Sequence, residues 1–282
     1  PMTDANLVRV MQSQTRRKVG LVEQSCVAAG PDAIRARFKA LQAEGVGVAV
    51  IDAISNQDLM HMGQALSDTP LVTAGSGVAI GLPQNFGLRP TPTTSALPPV
   101  QGKQAVIAGS CSSATQKQVA HFKAQGLPAL ALDPARLVQD DASHQAAVAE
   151  ALAWAASHLT QAQGPVLIYS TASPDSVKAA QAQYGVQVVG DRVEHALAAI
   201  AQGLTQLGVA QLIVAGGETS GACVQALGIT QLQIGMQIDP GVPWCHAHTA
   251  QGGVHITLKS GNFGSEDFFV KAFHQLAEAV AL

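Results

Sequence analysis

The sequence has few charged and few aromatic residues, 12% and 4% of its 282 positions, whereas 47% are hydrophobic. This composition excludes a disordered chain, because disorder requires low hydrophobicity and a high net charge. No apolar run approaches the roughly 18 residues that cross a bilayer, so we expect no membrane partner. The 16 Lys and Arg residues form no basic cluster and the net charge is -3. Nucleic acid is therefore not an expected partner either.

Cysteine is also scarce, and the spacing of its four positions matches no zinc site. We expect reduced thiols at Cys26, Cys111, Cys223 and Cys245. The first residues contain no basic segment followed by an apolar one, so no secretory signal is expected. The sequence thus predicts a cytoplasmic location, and it leaves a homo-oligomeric state open.

Short β-branched runs alternate with longer segments of helical period that are rich in Ala, Leu and Gln. This alternation is typical of βαβ units around a parallel sheet. We therefore predict an α/β fold with two domains and mainly parallel sheets, the second a complete nucleotide-binding domain. Prolines at positions 90, 92, 98 and 99 favour an extended connector. The predicted domains are residues 1–88 and 101–282, joined by a linker at 89–100.

The pattern predicts three strands in the first domain and six in the second. They are residues 18–22, 46–51 and 71–73, then 104–108, 127–132, 165–169, 210–215, 232–238 and 254–258. The main helices are predicted at 31–44, 57–66, 114–125, 143–160, 191–207 and 266–281. A loop at 170–174 is expected to start a further helix. Residues 238–244 are predicted as a rigid turn, and Cys245, His246 and His248 as part of an exposed loop rather than metal ligands.

Two loops rich in glycine and hydroxyl groups, 109–113 and 216–221, each follow a predicted strand and precede a helix. Open α/β sheets bind ligands at the carboxyl ends of their strands. Glycine lets backbone N–H groups approach a phosphate closely, and the helix dipole favours the anion. The alternative is a pair of tight turns with Ser or Thr as helix N-caps. Two such loops in one domain favour a phosphate site.

The second of these loops contains more than a turn requires. Thr219 and Ser220 are candidates for binding phosphate oxygens, and Glu218 for binding either a water of a Mg²⁺ shell or a ribose hydroxyl. Gly216 and Gly217 would admit the phosphate, and we expect a positive φ at Gly217. Neither a Walker loop nor a Gly-x-Gly-x-x-Gly motif is present, which disfavours a standard Rossmann dehydrogenase.

A third loop, residues 259–264, follows the last predicted strand. Lys259 is a candidate catalytic residue, because a lysine beside glycines can neutralise a transferring phosphoryl group. Gly261 and Gly264 would give the nucleotide access to the backbone, and the alternative is a solvated lysine in a turn. Asp239, in the predicted turn, would face a metal or a base pocket. The alternative there is a Pro-Gly turn with a half-buried Trp244.

In the first domain, Asp52, Ser55 and the loop at 74–77 follow predicted strands. Asp52, Gly75 and Ser76 are the candidates for contact with a small polar substrate across an interdomain cleft. Helix capping explains these positions equally well. The sequence leaves the ligands of a bound metal unknown.

These motifs together resemble the four-carbon acid sugar kinase family. The resemblance rests on the opening Pro1-Met2-Thr3-Asp4-Ala5-Asn6-Leu7-Val8, on Gly109-Ser110-Cys111-Ser112, on Gly216-Gly217-Glu218-Thr219-Ser220-Gly221, on Pro240-Gly241-Val242-Pro243-Trp244 and on Lys259-Ser260-Gly261-Asn262-Phe263-Gly264. It implies an ATP-dependent kinase, with Mg²⁺, that phosphorylates the terminal hydroxyl of 3-oxo-tetronate or else of D-threonate or D-erythronate. It also implies ATP contacts in the second domain, from Ser110, Ser112, Ser113, Thr115, Gly217, Glu218, Thr219, Ser220 and Gly264.

One departure from the family pattern concerns the N-terminal domain. Family members are expected to carry an Asp-Asp motif near the start of a longer domain, and this sequence has no equivalent segment. The resemblance therefore covers the end of that domain and the whole nucleotide domain. The sequence leaves two interpretations open: the major part of an acid sugar kinase, or a catalytically incomplete module that binds ATP or ADP.

Overall fold

The computed structural model describes residues 3–89, 96–161, 164–170 and 182–280. The chain divides into two compact units, Pro1–Thr91 and Pro92–Leu282. The extent of the linker stays a prediction, although its last residues belong to the second unit. There the side chain of Leu97 lies against Gly235, and the carbonyl oxygen of Ala96 accepts a hydrogen bond from Gln233.

The first unit combines a small parallel sheet with short helices. Its elements are α1 Leu7–Gln12, β1 Val19–Val22, α2 Gln24–Ala28, α3 Pro31–Ala43, β2 Val48–Ile51, α4 Asn56–Ala65 and two 3-10 helices, Ser76–Gly81 and Pro83–Phe86. Strands β1 and β2 pair in parallel, with Val19 opposite Val48. Helix α3 begins at Pro31, whose fixed φ suits a first helical turn.

The strand predicted at 71–73 is wrong. Those residues form no strand, and the side chain of Leu71 is 80% exposed. A strand needs a neighbour for its backbone and a core for its side chains. Within the described first unit the segment has no paired strand, and the chain turns into the 3-10 helix at Ser76 instead.

The second unit is built on one large sheet. Its elements are β3 Lys103–Ala108, α5 Ser113–Ala124, β4 Ala129–Ala131, α6 Pro134–Gln139, α7 Asp141–Gln161, β5 Val166–Tyr169, α8 Val186–Gln206, β6 Val209–Ala215, α9 Gly217–Ala226, β7 Gln233–Asp239, β8 Val242–Thr249, β9 Gly252–Lys259 and α10 Phe268–Val280. The strand order is β4-β5-β3-β6-β9-β8-β7. From β4 to β9 in this order, each strand is parallel to its neighbour. Strand β8 is antiparallel to both of its neighbours, β9 and β7.

Helices cover both faces of this sheet, which confirms the α/β prediction. Ala105 and Ile107 of β3 point into one core with α7, α8 and α9, whereas Val106 and Ala108 point into a second core with α5 and α10. Burial on both faces explains why β3 reads as a continuous apolar run rather than an alternating one. Cys26, Cys223 and Cys245 are free thiols, as predicted.

Strand β8 was not predicted, and the expected exposed loop around it is wrong. Only Pro240 and Gly241 turn the chain, and Gly241 takes a φ of +78°. Trp244 is fully buried rather than half-buried, and its Nε1 donates to the carbonyl oxygen of Ala272 at 2.9 Å. Cys245 and His246 are also buried, because β8 lies between β9 and β7.

The loop predicted at 171–174 and the start of the helix after it lie outside the described residues. Within the parts of the chain that are described, no helix combines the length and apolarity needed to cross a membrane.

Candidate functional site

The three predicted loops meet at one edge of the large sheet. They follow β3, β6 and β9, which are adjacent and parallel, so their carboxyl ends lie side by side. The backbone nitrogens of Gly109 and Ser110 donate to the carbonyl oxygen of Ala215 at 2.9 and 3.2 Å, and that of Gly216 donates to Lys259 at 2.8 Å. The loops therefore form a single surface at the edge where α/β folds bind ligands.

A cavity of about 280 Å³ opens at this edge. Five predicted nucleotide-binding residues line it: Ser110, Gly216, Gly217, Glu218 and Thr219. An apolar side is added by Pro134 at the start of α6 and by Val189 and Val193 of α8. The cavity thus combines backbone N–H groups and hydroxyls with an apolar wall, as small-molecule sites commonly do.

Helix α9 begins at this cavity without a capping side chain. Its N-cap is Gly216, with a φ of +136° and no side-chain hydrogen bond to the first turn. The first intrahelical bond recorded runs from the nitrogen of Ser220 to the carbonyl oxygen of Gly216 at 2.9 Å. The preceding N–H groups are those that a helix leaves for an external acceptor.

The positive φ expected at Gly217 is wrong, because the special conformation belongs to Gly216. Gly217 is already helical, and a Cβ atom added to it would meet no other atom within 4 Å. Its missing side chain leaves open space beside the cavity. A Cβ atom at Gly217 would thus meet open space next to the cavity that this glycine lines.

Two other glycines allow the loops to approach one another. A Cβ atom at Gly109 would overlap Oγ1 of Thr219, and one at Gly261 would overlap Oγ of Ser110. Only glycine leaves room for these contacts, so both positions are explained by packing between neighbouring loops.

Three predicted site residues converge on the carbonyl oxygen of Gly261. Ser112 Oγ donates to it at 2.6 Å, Thr115 Oγ1 at 2.9 Å and Lys259 Nζ at 3.1 Å. Lys259 Nζ also donates to the carbonyl oxygen of Ser260 at 3.1 Å and to Thr115 Oγ1 at 3.2 Å. These side chains fasten the loop after β9 to the start of α5.

Lys259 is fully buried, with 0% of its surface exposed, so the alternative of a solvated lysine is wrong. Burial lowers the pKa of its ammonium group to about 8. Its three oxygen partners compensate part of the cost of removing a charge from water. Lys259 does not line the cavity described above.

The second half of this loop is hydrogen-bonded to Gln118 of α5. Gln118 Nε2 donates to the carbonyl oxygens of Phe263, Gly264 and Ser265 at 3.1, 3.1 and 2.9 Å. Gly264 takes a φ of +85°, which favours glycine. These contacts place Gly264 in a turn under α5, outside the cavity lining.

Asp239, at the end of β7, also binds this loop. Its carboxylate accepts hydrogen bonds from the nitrogen and Oγ of Ser265 at 2.8 and 2.9 Å and pairs with Lys271 Nζ at 2.6 Å. Burial alone would raise the pKa of Asp239, but the hydrogen bonds from Lys271 and Ser265 outweigh it and lower the pKa. The structure therefore brings Asp239 to the loop rather than to the cavity.

Two further predicted residues, Ser113 and Ser220, do not line the cavity. Ser113 is the first residue of α5 and is exposed. Ser220 is buried, and its Oγ has no hydrogen-bond partner among the described residues.

The sequence did not single out two polar residues that line the cavity, Glu194 and Ser170. Glu194 lies on α8 beside Glu218, and burial, followed by the proximity of the Glu218 carboxylate, raises the pKa of Glu194. Ser170 directly follows β5. The position of Ser170 at the end of a strand could have indicated a site residue from the sequence. Glu194 lies inside a helix, where nothing in the sequence indicates a site.

In the first unit, a cavity of about 360 Å³ lies beside β2 and is lined by Gly75 but not by Asp52 or Ser76. The nitrogen of Asp52 donates to the carbonyl oxygen of Val22 at 3.0 Å, directly after β2. Ser55 caps α4, in a capping box with Asp58. The capping alternative therefore accounts for Ser55, and the substrate roles of the other three residues stay predictions.

No group of three His, Cys, Asp or Glu residues in the described ranges is arranged to hold a metal ion. This includes the histidines of β8 and β9, although the ring centroids of His246 and His248 are only 4.9 Å apart.

Comparison with known proteins matches both units. The model of a nucleotide-binding C-terminal domain matches residues 105–269, and that of a sugar-binding N-terminal domain matches residues 1–82. The 3-oxo-tetronate kinases of Burkholderia multivorans (strain ATCC 17616 / 249) and Cupriavidus necator are 50% and 49% identical to this chain, each over 280 residues. Each match covers 98% of this chain and 63% of the relative, so the chain spans less than two thirds of their length.

Two solved structures are similar to this chain in sequence and fold. A crystal structure from Salmonella typhimurium LT2 is 38% identical, with a TM-score of 0.74, and the match covers 98% of this chain and 64% of that one. A Haemophilus influenzae protein is 37% identical, with a TM-score of 0.63, and the match covers 97% and 64%.

The second unit is thus a nucleotide-binding domain of α/β architecture, built on a mainly parallel sheet. The chain as a whole belongs to the four-carbon acid sugar kinase family.

Proposed function

We propose that this protein is an ATP-dependent kinase that phosphorylates the terminal hydroxyl of a four-carbon acid sugar. The observation that carries the proposal is the uncapped start of α9, which opens into a cavity lined by the glycine-containing loops after β3 and β6. The proposed acceptor is 3-oxo-tetronate, the substrate in the names of the Burkholderia and Cupriavidus relatives. D-threonate and D-erythronate are the alternative acceptors.

The geometry supports separate binding regions for the phosphates and for the base within the cavity. The N–H groups at the start of α9 and the positive end of its dipole would bind phosphate oxygens, with Ser110 beside them. Pro134, Val189 and Val193 would pack against the base. Gly217 would leave space for the phosphate, since nothing lies within 4 Å of its missing Cβ position.

The proposal includes Mg²⁺, which when bound with ATP neutralises charge on the phosphates. The cavity suits a hard cation because carboxylate and hydroxyl oxygens line it.

We assign Lys259 and Asp239 to the positioning of the loop at 259–265. Both charged groups contact that loop directly, and neither lines the cavity. Ser112 and Thr115 would act in the same way through the Gly261 carbonyl. Asp52, Gly75 and Ser76 are proposed to contact the acid sugar, and a cytoplasmic location is proposed as well.

Calorimetric titration of the 282-residue chain with ATP and ADP, in the presence of Mg²⁺, tests the nucleotide site. Gly217→Val should weaken nucleotide binding by about tenfold or more, because the new side chain occupies the space of the phosphate. Its matched control is Gly221→Val, on the same helix and also with open space around its Cβ position. Equal affinities for the two variants would contradict the assignment of the cavity.

Phosphoryl transfer is tested separately, by coupling ADP release to an indicator reaction with 3-oxo-tetronate, D-threonate and D-erythronate. The expected result is ATP turnover that depends on one of these acids. Tight nucleotide binding without turnover would instead match a binding module that lacks part of its catalytic machinery.

A further inference from the structure

Two carboxylates lie together in the nucleotide cavity. Glu194 of α8 and Glu218 of α9 both line it, and burial together with the neighbouring Glu218 carboxylate raises the pKa of Glu194. Helices α8 and α9 pack against each other, so both carboxylates are carried by helices of the core rather than by loops. An acidic residue in the first turn of α9 is favourable for the helix, but this does not account for a second carboxylate beside it.

A third oxygen in the same cavity lacks a partner. Ser170 is only 3% exposed and lines the cavity, and its Oγ makes no hydrogen bond with any described residue. Buried hydroxyls in folded proteins are nearly always hydrogen-bonded. An unpaired one that faces a cavity therefore indicates a ligand that supplies the missing contact.

The charge of the cavity determines what kind of ligand fits. None of the described residues that line it is lysine or arginine, and the buried ammonium of Lys259 is hydrogen-bonded to three protein oxygens elsewhere. A polyphosphate bound at the start of α9 would face the two carboxylates with like charge. A divalent cation between them would turn this repulsion into attraction.

We propose that Glu194 and Glu218, with the hydroxyl of Ser170, hold the divalent cation that accompanies the nucleotide. This inference rests on the proposed nucleotide-binding function. Mg²⁺ usually binds through one or two carboxylates together with substrate phosphates and water, rather than in a cage made only of protein groups. The described residues offer two carboxylates and no third acidic or histidine ligand, which is the number of protein ligands that Mg²⁺ usually takes beside phosphates and water. Glu218 was a candidate for binding either the hydration shell of Mg²⁺ or a ribose hydroxyl. The second carboxylate beside it, that of Glu194, favours the cation.

The test measures ADP affinity by calorimetry, once with Mg²⁺ and once with EDTA, for the wild type and for Glu194→Gln and Glu218→Gln. The wild type should bind ADP about tenfold or more tightly with Mg²⁺, and each variant should lose most of this gain. With EDTA, the variants should bind ADP as well as the wild type or better, because a negative charge has been removed. Glu278→Gln, on the exposed surface of α10, is the matched control and should keep the full gain.

Two further measurements support the test. Mn²⁺ paramagnetic resonance on the wild-type protein should show a bound Mn²⁺ population that requires ADP, and this needs no variant. Ser170→Ala should reduce the Mg²⁺ gain several-fold without lowering the melting temperature, since the hydroxyl has no partner among the described residues to lose.

Three results would overturn the proposal. If wild-type ADP affinity is the same with Mg²⁺ and with EDTA, the cation site is refuted while the nucleotide site stands. If the Glu194 and Glu218 variants weaken binding equally in both conditions, the carboxylates contact the nucleotide itself, for example a ribose hydroxyl. If the wild type binds no ADP in either condition, the proposed function fails and the cation site with it.

Discussion

Replacing Lys259 by methionine should change how the stability of the protein depends on pH. Methionine keeps an unbranched side chain, one heavy atom shorter than that of lysine, and removes the ammonium group. In the folded protein the pKa of Lys259 is about 8, against an ordinary 10.5. At about 1.4 kcal/mol for each pH unit, the folded state disfavours the charged form by about 3 kcal/mol.

The sign follows from proton binding in the two states. Below pH 8 the lysine is protonated both in the folded and in the unfolded chain. The free energy of unfolding is then lowered by the full cost of burying the charge. Between pH 8 and 10.5 the unfolded chain holds a proton that the folded protein has released. The free energy of unfolding therefore rises with pH in this interval. Relative to Lys259→Met, the wild type should gain about 2 kcal/mol between pH 7 and pH 9.5.

Urea unfolding of both proteins at pH 7 and pH 9.5 provides the measurement. Other groups that titrate in this range are common to both proteins, so the difference between them isolates Lys259. The m-values should agree, which would show that the same surface is exposed on unfolding. Parallel changes of stability with pH in the two proteins would refute the assignment of a buried, charged Lys259.

Three other substitutions test the packing and the charges around the site. Gly109→Ala should lower the free energy of unfolding by about 1–3 kcal/mol in urea titration, because the new methyl group overlaps Thr219; an unchanged midpoint would contradict this contact. Asp239→Asn should destabilise by about 2 kcal/mol at neutral pH, since it weakens the pairing with Lys271. The pKa of Asp239 is lowered, so its contribution is present above about pH 4 and is lost as the pH falls through the folded pKa; a wild-type advantage that persists in acid would refute it. Trp244→Phe should lower stability by about 2 kcal/mol, because the carbonyl it binds in α10 loses a donor and a cavity is left, and thermal unfolding would measure this.

The sequence was sufficient to predict the parallel part of the sheet and the place of the loops. Strands such as β3 and β6 are buried on both faces, so their residues form apolar runs that are visible without a structure. Since parallel strands end at one edge, the loops after them were expected to meet, and they do.

Strand β8 could not be predicted for a local reason. Its first residues, with Pro240 and Gly241 just before and Pro243 inside, have the composition of a turn, and proline usually marks the limit of a strand. In the structure Pro243 lies one residue into β8, and its carbonyl oxygen accepts a hydrogen bond from Thr257 at 2.8 Å. Backbone pairing with β7 at Val242 and Pro243, and with β9 from Cys245 onward, outweighs the local preference.

The roles of individual site residues depend on partners that are distant in the sequence. Ser112 and Thr115 were expected to contact ATP, as the family resemblance implies. Their common partner, the carbonyl oxygen of Gly261, lies almost 150 residues further along the chain. Glu194 gained its place in the cavity only through the packing of α8 against α9.

The position of β9 in the sheet has a consequence for how the protein is made. This strand lies between β6 and β8, although it is the last described strand of the sequence. During synthesis, β6 therefore keeps an open edge until residues 252–259 have left the ribosome, and β7 and β8 can pair only with each other. An open edge of a parallel sheet is a template for the strands of other chains. The growing chain is thus most prone to misassociation just before its last strand arrives, and the loops after β6 and β9 first meet at that same moment.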